Sequence, residues 1–198
     1  MEPIRVIRGR AVPLRRSDID TDQIIPASWL KRVERTGFGE GLFEAWRKDP
    51  DFALNNPVFQ DAPILVAGAN FGTGSSREHA IWALTDHGFR AVISPRFGDI
   101  FRNNATKAGL VPAQVDQETV ERLWSAIEAD PTIEVVVDVE TGRVYSEAAG
   151  IDVPYPMDEF TRHRLLEGLD DIGLTLRHAD AIDAFESNRP DWLPATSG

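Results

Sequence analysis

The segment from Pro63 to Ser94 constrains the fold more tightly than any other part of the chain. Pro63-Ile-Leu-Val-Ala67 is a short apolar run, and Gly68 to Gly74 is a glycine-rich turn. Ser75-Ser-Arg-Glu-His-Ala-Ile-Trp-Ala-Leu84 follows, with apolar positions at Ala80, Ile81 and Leu84. An apolar run of that length bounded by a turn reads as a buried strand. Serine ahead of a first turn that holds Glu78 reads as a helix start, and Gly88 as its stop. Ala91-Val-Ile-Ser94 supplies the next strand. Strand, helix and strand at this spacing predict a β-α-β unit with a right-handed crossover, and so an α/β fold.

The remainder is read around that unit. Ile4 to Val6, continuing through Ala11–Leu14, predicts one or two short strands, and Ser17 to Gln23 an acidic turn ending at Ile24-Ile25-Pro26. Trp29 to Gly41 mixes Lys31, Arg32 and Arg35 with three glycines, which predicts a mobile loop rather than a packed element. Phe43 to Phe52 predicts a short helix. A second helix is expected from Asp99 to Gly109, then a strand over Leu110–Ala113. Gln117 to Ala129 is amphipathic, with Val120, Leu123, Trp124 and Ile127 on one face. Ile133–Val139 and Arg143–Tyr145 flank Glu140-Thr-Gly142 as a hairpin. Beyond Pro156 the chain turns acidic, with helices expected at Arg164–Leu169 and Ala179–Phe185. The expected organisation is one domain over 1–156 and a helical extension over 157–198, packed on it or trailing from it.

Composition removes whole classes of function. Twenty-one basic against thirty-two acidic residues leave a net charge of −11. Nucleic acid is therefore not an expected partner, since phosphate contacts need clustered Lys and Arg. No apolar run approaches the roughly 20 residues of a membrane span, and Met1 to Arg10 holds no apolar signal core, so a cytoplasmic location is expected. The chain has no cysteine. That excludes a disulfide framework, a cysteine nucleophile, a thiolate zinc site and an iron–sulfur cluster ligated by this chain alone. His79, His87, His163 and His178 show no H-x-x-x-H or H-E-x-x-H spacing, so no metal is expected on them.

The Gly68–Ala80 stretch feeds glycines into a helix start, an arrangement that aims backbone N–H groups at an anion. It is not a Walker loop, because the lysine is missing, nor a dinucleotide loop, because Arg77 stands at the third glycine. A hydrolase elbow centred on Ser76 would need glycine where Glu78 stands. What remains is Ser75 and Ser76 at the positive end of a helix with Arg77 in its first turn. A cation there opposes the helix dipole, which makes sense if Arg77 grips a carboxylate with paired hydrogen bonds. The competing reading is a simple serine cap with a solvated arginine. In Asp18-Ile-Asp-Thr-Asp-Gln-Ile-Ile-Pro26 the alternating acids suggest a calcium loop, but Gln23 and Trp29 occupy the glycine and glutamate positions; a capped acidic turn is the better reading. Asn103 and Asn104 fit either orientation of site groups or helix caps. The five tryptophans read as core or interface anchors, with Trp29 set apart because it opens the basic, glycine-rich loop.

These residues carry a resemblance. Gly68–Ala80 resembles the G-x-N-F-G-x-G-S-S-R-E-H-A signature of the swivelling domain of the aconitase superfamily. Asp20-Thr-Asp-Gln-Ile-Ile-Pro26 is similar to the D-T-D-x-I-I-P segment of the bacterial small subunits of 3-isopropylmalate dehydratase, and Gly168-Leu-Asp-Asp-Ile-Gly-Leu-Thr-Leu176 to their C-terminal hallmark. Phe97–Pro112 also follows the superfamily pattern. The likeness runs from about Gly9 to Leu176. It implies an aconitase-type swivelling β/β/α domain with a central β-α-β unit and a C-terminal helical appendage.

The resemblance also implies the chemistry. Such a subunit, in leucine biosynthesis, helps interconvert 2-isopropylmalate and 3-isopropylmalate by dehydration and rehydration through 2-isopropylmaleate. It binds no cofactor itself; a [4Fe-4S] cluster comes from a large subunit, its partner in a heterodimer or heterotetramer. A chain without cysteine suits that division. The family's base aligns with Ser75, with Ser76 in support and Arg77 on a substrate carboxylate. Thr21 and Asp22 align with the segment that faces the cluster half and orients its catalytic histidine. Lys31, Arg32 and Val33 fall in the substrate-recognition loop, and Val33 stands where aconitase-like relatives place an arginine, which suits an apolar substituent. A register slip to Arg32 leaves homoaconitase or methylmalate-type activity open. A stand-alone serine hydrolase using Ser76 with His163 or His178 is the rival from another class, and a carboxylate-binding module the non-enzymatic one.

Overall fold

A computed structural model describes residues 1–31, 36–75 and 78–189. The chain enters through β1 (Val6–Gly9) and, after the single residue Arg10, continues as β2 (Ala11–Leu14). These two neighbours join different sheets. β2 opens a parallel sheet that continues, in chain order, through β3 (Ile64–Ala67), β4 (Ala91–Ser94) and β5 (Val111–Gln114). β1 is the edge of an antiparallel sheet with β6 (Val135–Asp138), β7 (Arg143–Ser146) and β8 (Ile151–Pro154), in register Val6 to Asp138 and Gly9 to Val135.

Every residue of β3 and β4 is buried, as expected of a parallel sheet covered on both faces. The helices are α1 (Thr21–Ile24), α2 (Glu78–His87), α3 (Asp99–Lys107) and α4 (Gln117–Ala129). α4 lies across β2, β3 and β4 with Val120, Leu123, Trp124 and Ile127 buried. Its Trp124 Nε1 donates to the Val66 carbonyl at 2.8 Å, so the ring is satisfied inside the core. α2 joins β3 to β4, buries Ala80, Ile81, Ala83 and Leu84, and packs against α3. The β-α-β unit and the full span of α4 agree with the sequence reading.

After β8 come α5 (Glu159–Glu167), α6 (Asp171–Leu176) and α7 (Ala179–Ser187). α5 is part of the packed body: Leu165 is buried, and its carbonyl accepts from Ile4 N at 2.8 Å. α6 and α7 bury nothing and leave Ile172, Leu176 and Phe185 exposed. No helix among the described residues is long and apolar enough to cross a membrane.

Several local expectations are corrected. Phe43 to Phe52 is not an α-helix: Phe43 is fully buried at φ 50°, its N–H bonds the Ile24 carbonyl, and only a 3₁₀ turn at Trp46–Lys48 follows. Burial of its ring against Trp46 and Phe52 overrides local helix preference. The helix placed at Arg164–Leu169 starts earlier, because Asp158 accepts from Thr161 N at 2.8 Å and caps it, and Gly168 in the left-handed region ends it. β8 and α6 have no counterpart in the sequence reading.

Candidate active site

The glycine-rich turn and the acidic turn, far apart in sequence, lie alongside each other. Asp18 N donates to Ala69 O at 2.8 Å, Gly72 N to Ile19 O at 2.8 Å, and Thr21 N to Thr73 O at 2.9 Å. Asp20 and Thr73 form a parallel bridge. Gly72 is required here: it sits at φ +73°, and a Cβ would lie 2.3 Å from Cγ of Phe101. Asn70 Nδ2 reaches across to Asp18 Oδ1 at 2.6 Å.

The acidic turn is a helix start. Asp20 Oδ1 accepts from Gln23 N at 2.8 Å, and Gln23 Oε1 accepts from Asp20 N at 2.9 Å, a reciprocal capping box. Asp20 is thereby engaged by the Gln23 N–H, as the capped-turn reading expects, and Asp18 by the Asn70 amide. The box seats Thr21 as the first residue of α1, 3% exposed, while Asp22 beside it is exposed.

The glycine-rich turn ends at Ser75, which is exposed. Its carbonyl accepts from Thr21 Oγ1 at 3.2 Å across 54 residues of sequence. Ser76 and Arg77 lie outside the described residues, and the chain resumes at the first turn of α2 with Glu78. Backbone N–H groups at such a helix start carry partial positive charge, which favours an oxyanion nearby.

The stretch after α1 is packed on both sides of residues 32–35, which lie outside the described residues, and at Ala27–Lys31 and Phe38–Gly41 the expectation of a loop rather than a packed element is corrected. A 3₁₀ turn covers Ala27–Lys31, with Lys31 exposed. Trp29 lies against Gly41 and donates from Nε1 to Glu44 Oε2 at 2.7 Å. On the far side Phe38 is buried against His79 and Trp82, and its N–H bonds Asp86 Oδ2 at 3.0 Å. Two aromatic side chains thus anchor what the glycines and charges suggested was loose. Arg32 and Val33 lie outside the described residues. Beneath this anchor, Arg47 Nη2 meets His87 Nδ1 at 3.1 Å, and burial followed by the Arg47 charge holds His87 down to about 4.

The structure therefore brings Ser75 and Thr21 into contact, with Asp22 next in sequence. Sequence reasoning gave no site role to Asp18, Asn70, Gln23, Phe38 and Asp86, all of which shape these loops. The signal for Asn70 was its place in a glycine-rich turn, since Asn is the residue that tolerates a left-handed backbone after Gly. Asn103 instead borders a cleft of about 660 Å³ between α3 and α5, whose lining includes Arg102, Tyr155 and Arg162 and none of the predicted site residues. His163, on α5, is exposed and within 3.0 Å of Arg177 Nη1.

Comparison with known proteins places this geometry in context. Residues 1–118 match the Aconitase C-terminal domain, and residues 171–198 match the C-terminal domain of 3-isopropylmalate dehydratase small subunits. A 3-isopropylmalate dehydratase small subunit from Frankia alni is 62% identical over 195 residues, covering 98% of this chain and 99% of that protein. One from Acidothermus cellulolyticus is 64% identical over 198 residues, covering 99% and 98%. The crystal structure of a 3-isopropylmalate dehydratase from Methanocaldococcus jannaschii is similar with a TM-score of 0.66 at 25% identity, covering 91% of this chain and 99% of that one.

Proposed function

The chain belongs to the family of 3-isopropylmalate dehydratase small subunits, and from that premise we propose that Ser75 is the catalytic base of a site completed by the large subunit. As such it is one part of a hydro-lyase of leucine biosynthesis. The observation that supports Ser75 is its exposed position at the end of a turn strapped to α1, three residues before α2 begins at Glu78.

Dehydration takes a proton from the carbon beside a carboxylate as a hydroxyl leaves the neighbouring carbon. Ser75 takes that proton, and on rehydration gives a proton to the carbon that lost the hydroxyl while water's hydroxyl adds to the carbon that lost the proton. A free serine is far too weak a base at neutral pH. The helix start and the Arg77 guanidinium favour its alkoxide. Arg77 also holds a substrate carboxylate in a paired hydrogen bond, and Ser76 supports it. Lys31, Arg32 and Val33 read the rest of the substrate, with Val33 toward the isopropyl group. Asp22, exposed beside Thr21, faces the partner.

The chain has no cysteine, and among the described residues no group of three or more His, Cys, Asp or Glu could hold a metal, so the donors needed by a [4Fe-4S] cluster are not on this subunit. We assign that cluster to the large subunit, where its iron supplies Lewis acidity toward the hydroxyl. The working form is a cytoplasmic heterodimer or heterotetramer acting on a small dicarboxylate, with 1–156 as the swivelling unit and 157–198 as its extension.

The test mixes purified chain with the large subunit and follows 2-isopropylmaleate by absorbance. Activity is expected only from the mixture, and Ser75→Ala lowers kcat by about 10²–10⁴-fold. A Ser75→Ala mixture as active as wild type overturns the assignment. Faster turnover of a homoaconitate or methylmalate-type substrate overturns the choice of isopropylmalate.

A further inference from the structure

We infer that Thr21 is a positioning residue for Ser75, acting inside this subunit rather than on the partner; the inference rests on Ser75 being the base. The resemblance treats Thr21 and Asp22 as one partner-facing pair. Their environments differ. Asp22 is exposed, whereas Thr21 is 3% exposed, with too little surface to engage a second polypeptide.

What Thr21 does instead is grip the base's own backbone at two points. Its N–H donates to the Thr73 carbonyl at 2.9 Å, and its hydroxyl donates to the Ser75 carbonyl at 3.2 Å. The two gripped peptide units lie on either side of Gly74, which sits at φ +94°. Glycine is the residue with the widest backbone choice, so an unsupported Gly74 lets the residue after it adopt several directions. Holding the chain before and after that point removes the freedom.

Thr21 is itself held in place. The Asp20–Gln23 capping box fixes the start of α1, and Ile24 and Ile25, both fully buried, pin the helix to the core. The line of support runs from the core through α1 and the Thr21 hydroxyl to the Ser75 peptide. A base acts only when its oxygen sits within hydrogen-bond reach of the proton it removes, and a displacement of about 1 Å can lower the rate on the order of 10²-fold.

The experiment uses the reconstituted two-subunit enzyme. Thr21→Val keeps the shape and removes the hydroxyl; Thr21→Ser keeps the hydroxyl; Thr21→Ala serves if valine impairs folding. The expected result is a fall in kcat of about 10- to 100-fold for the valine and alanine variants with KM little changed. Thr21→Ser recovers most of kcat, and affinity for the large subunit, measured by titration calorimetry, stays as in wild type. Wild-type kcat in Thr21→Val and Thr21→Ala overturns the inference, and so does weakened subunit association with kcat retained in the assembled enzyme. A fully active Ser75→Ala enzyme overturns the reading of the base instead, so the two failures are distinct.

Discussion

Asn70 and Asp18 share a 2.6 Å side-chain hydrogen bond, and both hold a left-handed backbone, at φ 60° and φ 55°. Asn and Asp are the non-glycine residues that adopt this conformation most readily. The pair joins the glycine-rich turn to the acidic turn one step before Ile19 and Thr21 take over the pairing. Asn70→Ala is expected to destabilise the isolated chain by about 1–3 kcal/mol, combining the lost bond with the left-handed cost of a β-carbon without a polar group. Asn70→Gly loses the same bond without that cost and should unfold at a higher urea concentration than Asn70→Ala.

Gly72→Ala places a methyl against the Phe101 ring in a backbone conformation alanine resists. A loss of about 2–4 kcal/mol is expected by urea denaturation. If the ring is the cause, Phe101→Leu in the same chain recovers part of that loss, and a double-mutant cycle shows coupling between the two sites.

His87 gives the chain a specific acid sensitivity. The unfolded imidazole titrates near 6.5, and the folded one at about 4. Between these values the unfolded state binds a proton that the folded state does not. Stability from this group is therefore full above 6.5 and declines as pH falls toward 4. The carboxylates of Asp116 and Asp158, held low mainly by the Thr119 and Thr161 backbone N–H groups they cap, lose their contribution at more acidic pH than the histidine. Urea midpoints measured across about pH 7 to pH 4.5 should fall in wild type, and His87→Gln should flatten most of that fall.

The C-terminal helices divide sharply in their bearing on stability. Leu165 on α5 is fully buried, so Leu165→Ala is expected to cost about 2–4 kcal/mol. Phe185 on α7 is 72% exposed, and Phe185→Ala should change the isolated chain's stability by less than about 0.5 kcal/mol. Thermal melts of both variants side by side check the contrast.

What the sequence made legible follows from how local the cause is. α4 was readable because its apolar face has helical period, and the structure adds the Asp116 cap that starts it. β3 and β4 were readable because strands buried on both faces are continuous apolar runs. Phe43 was not, because its left-handed backbone answers to a distant partner at Ile24. β8 escaped because Ile151-Asp-Val-Pro154 is a short edge strand ending in proline, with one residue of the four buried. For the candidate site, the chemistry-bearing residue types in both motifs stood out, but no spacing argument joins Thr21 to Ser75 across a separation of 54 residues. Trp29 and Phe38 were misjudged together, because glycines and charges outweighed a half-buried and a buried ring whose packing only the folded chain reveals.

The placement of β1 has a consequence for biogenesis. Its hydrogen-bonding mate is β6, and Val6 meets Asp138 in that register. At ordinary translation speeds the strand β1 is synthesised on the order of ten seconds before its mate β6. Throughout that interval β2 can already begin to pair with β3, while the residues immediately upstream present an unpaired edge to solvent. Closure of the antiparallel sheet along β1 therefore waits for β6, after β2 and β3 are both available to pair.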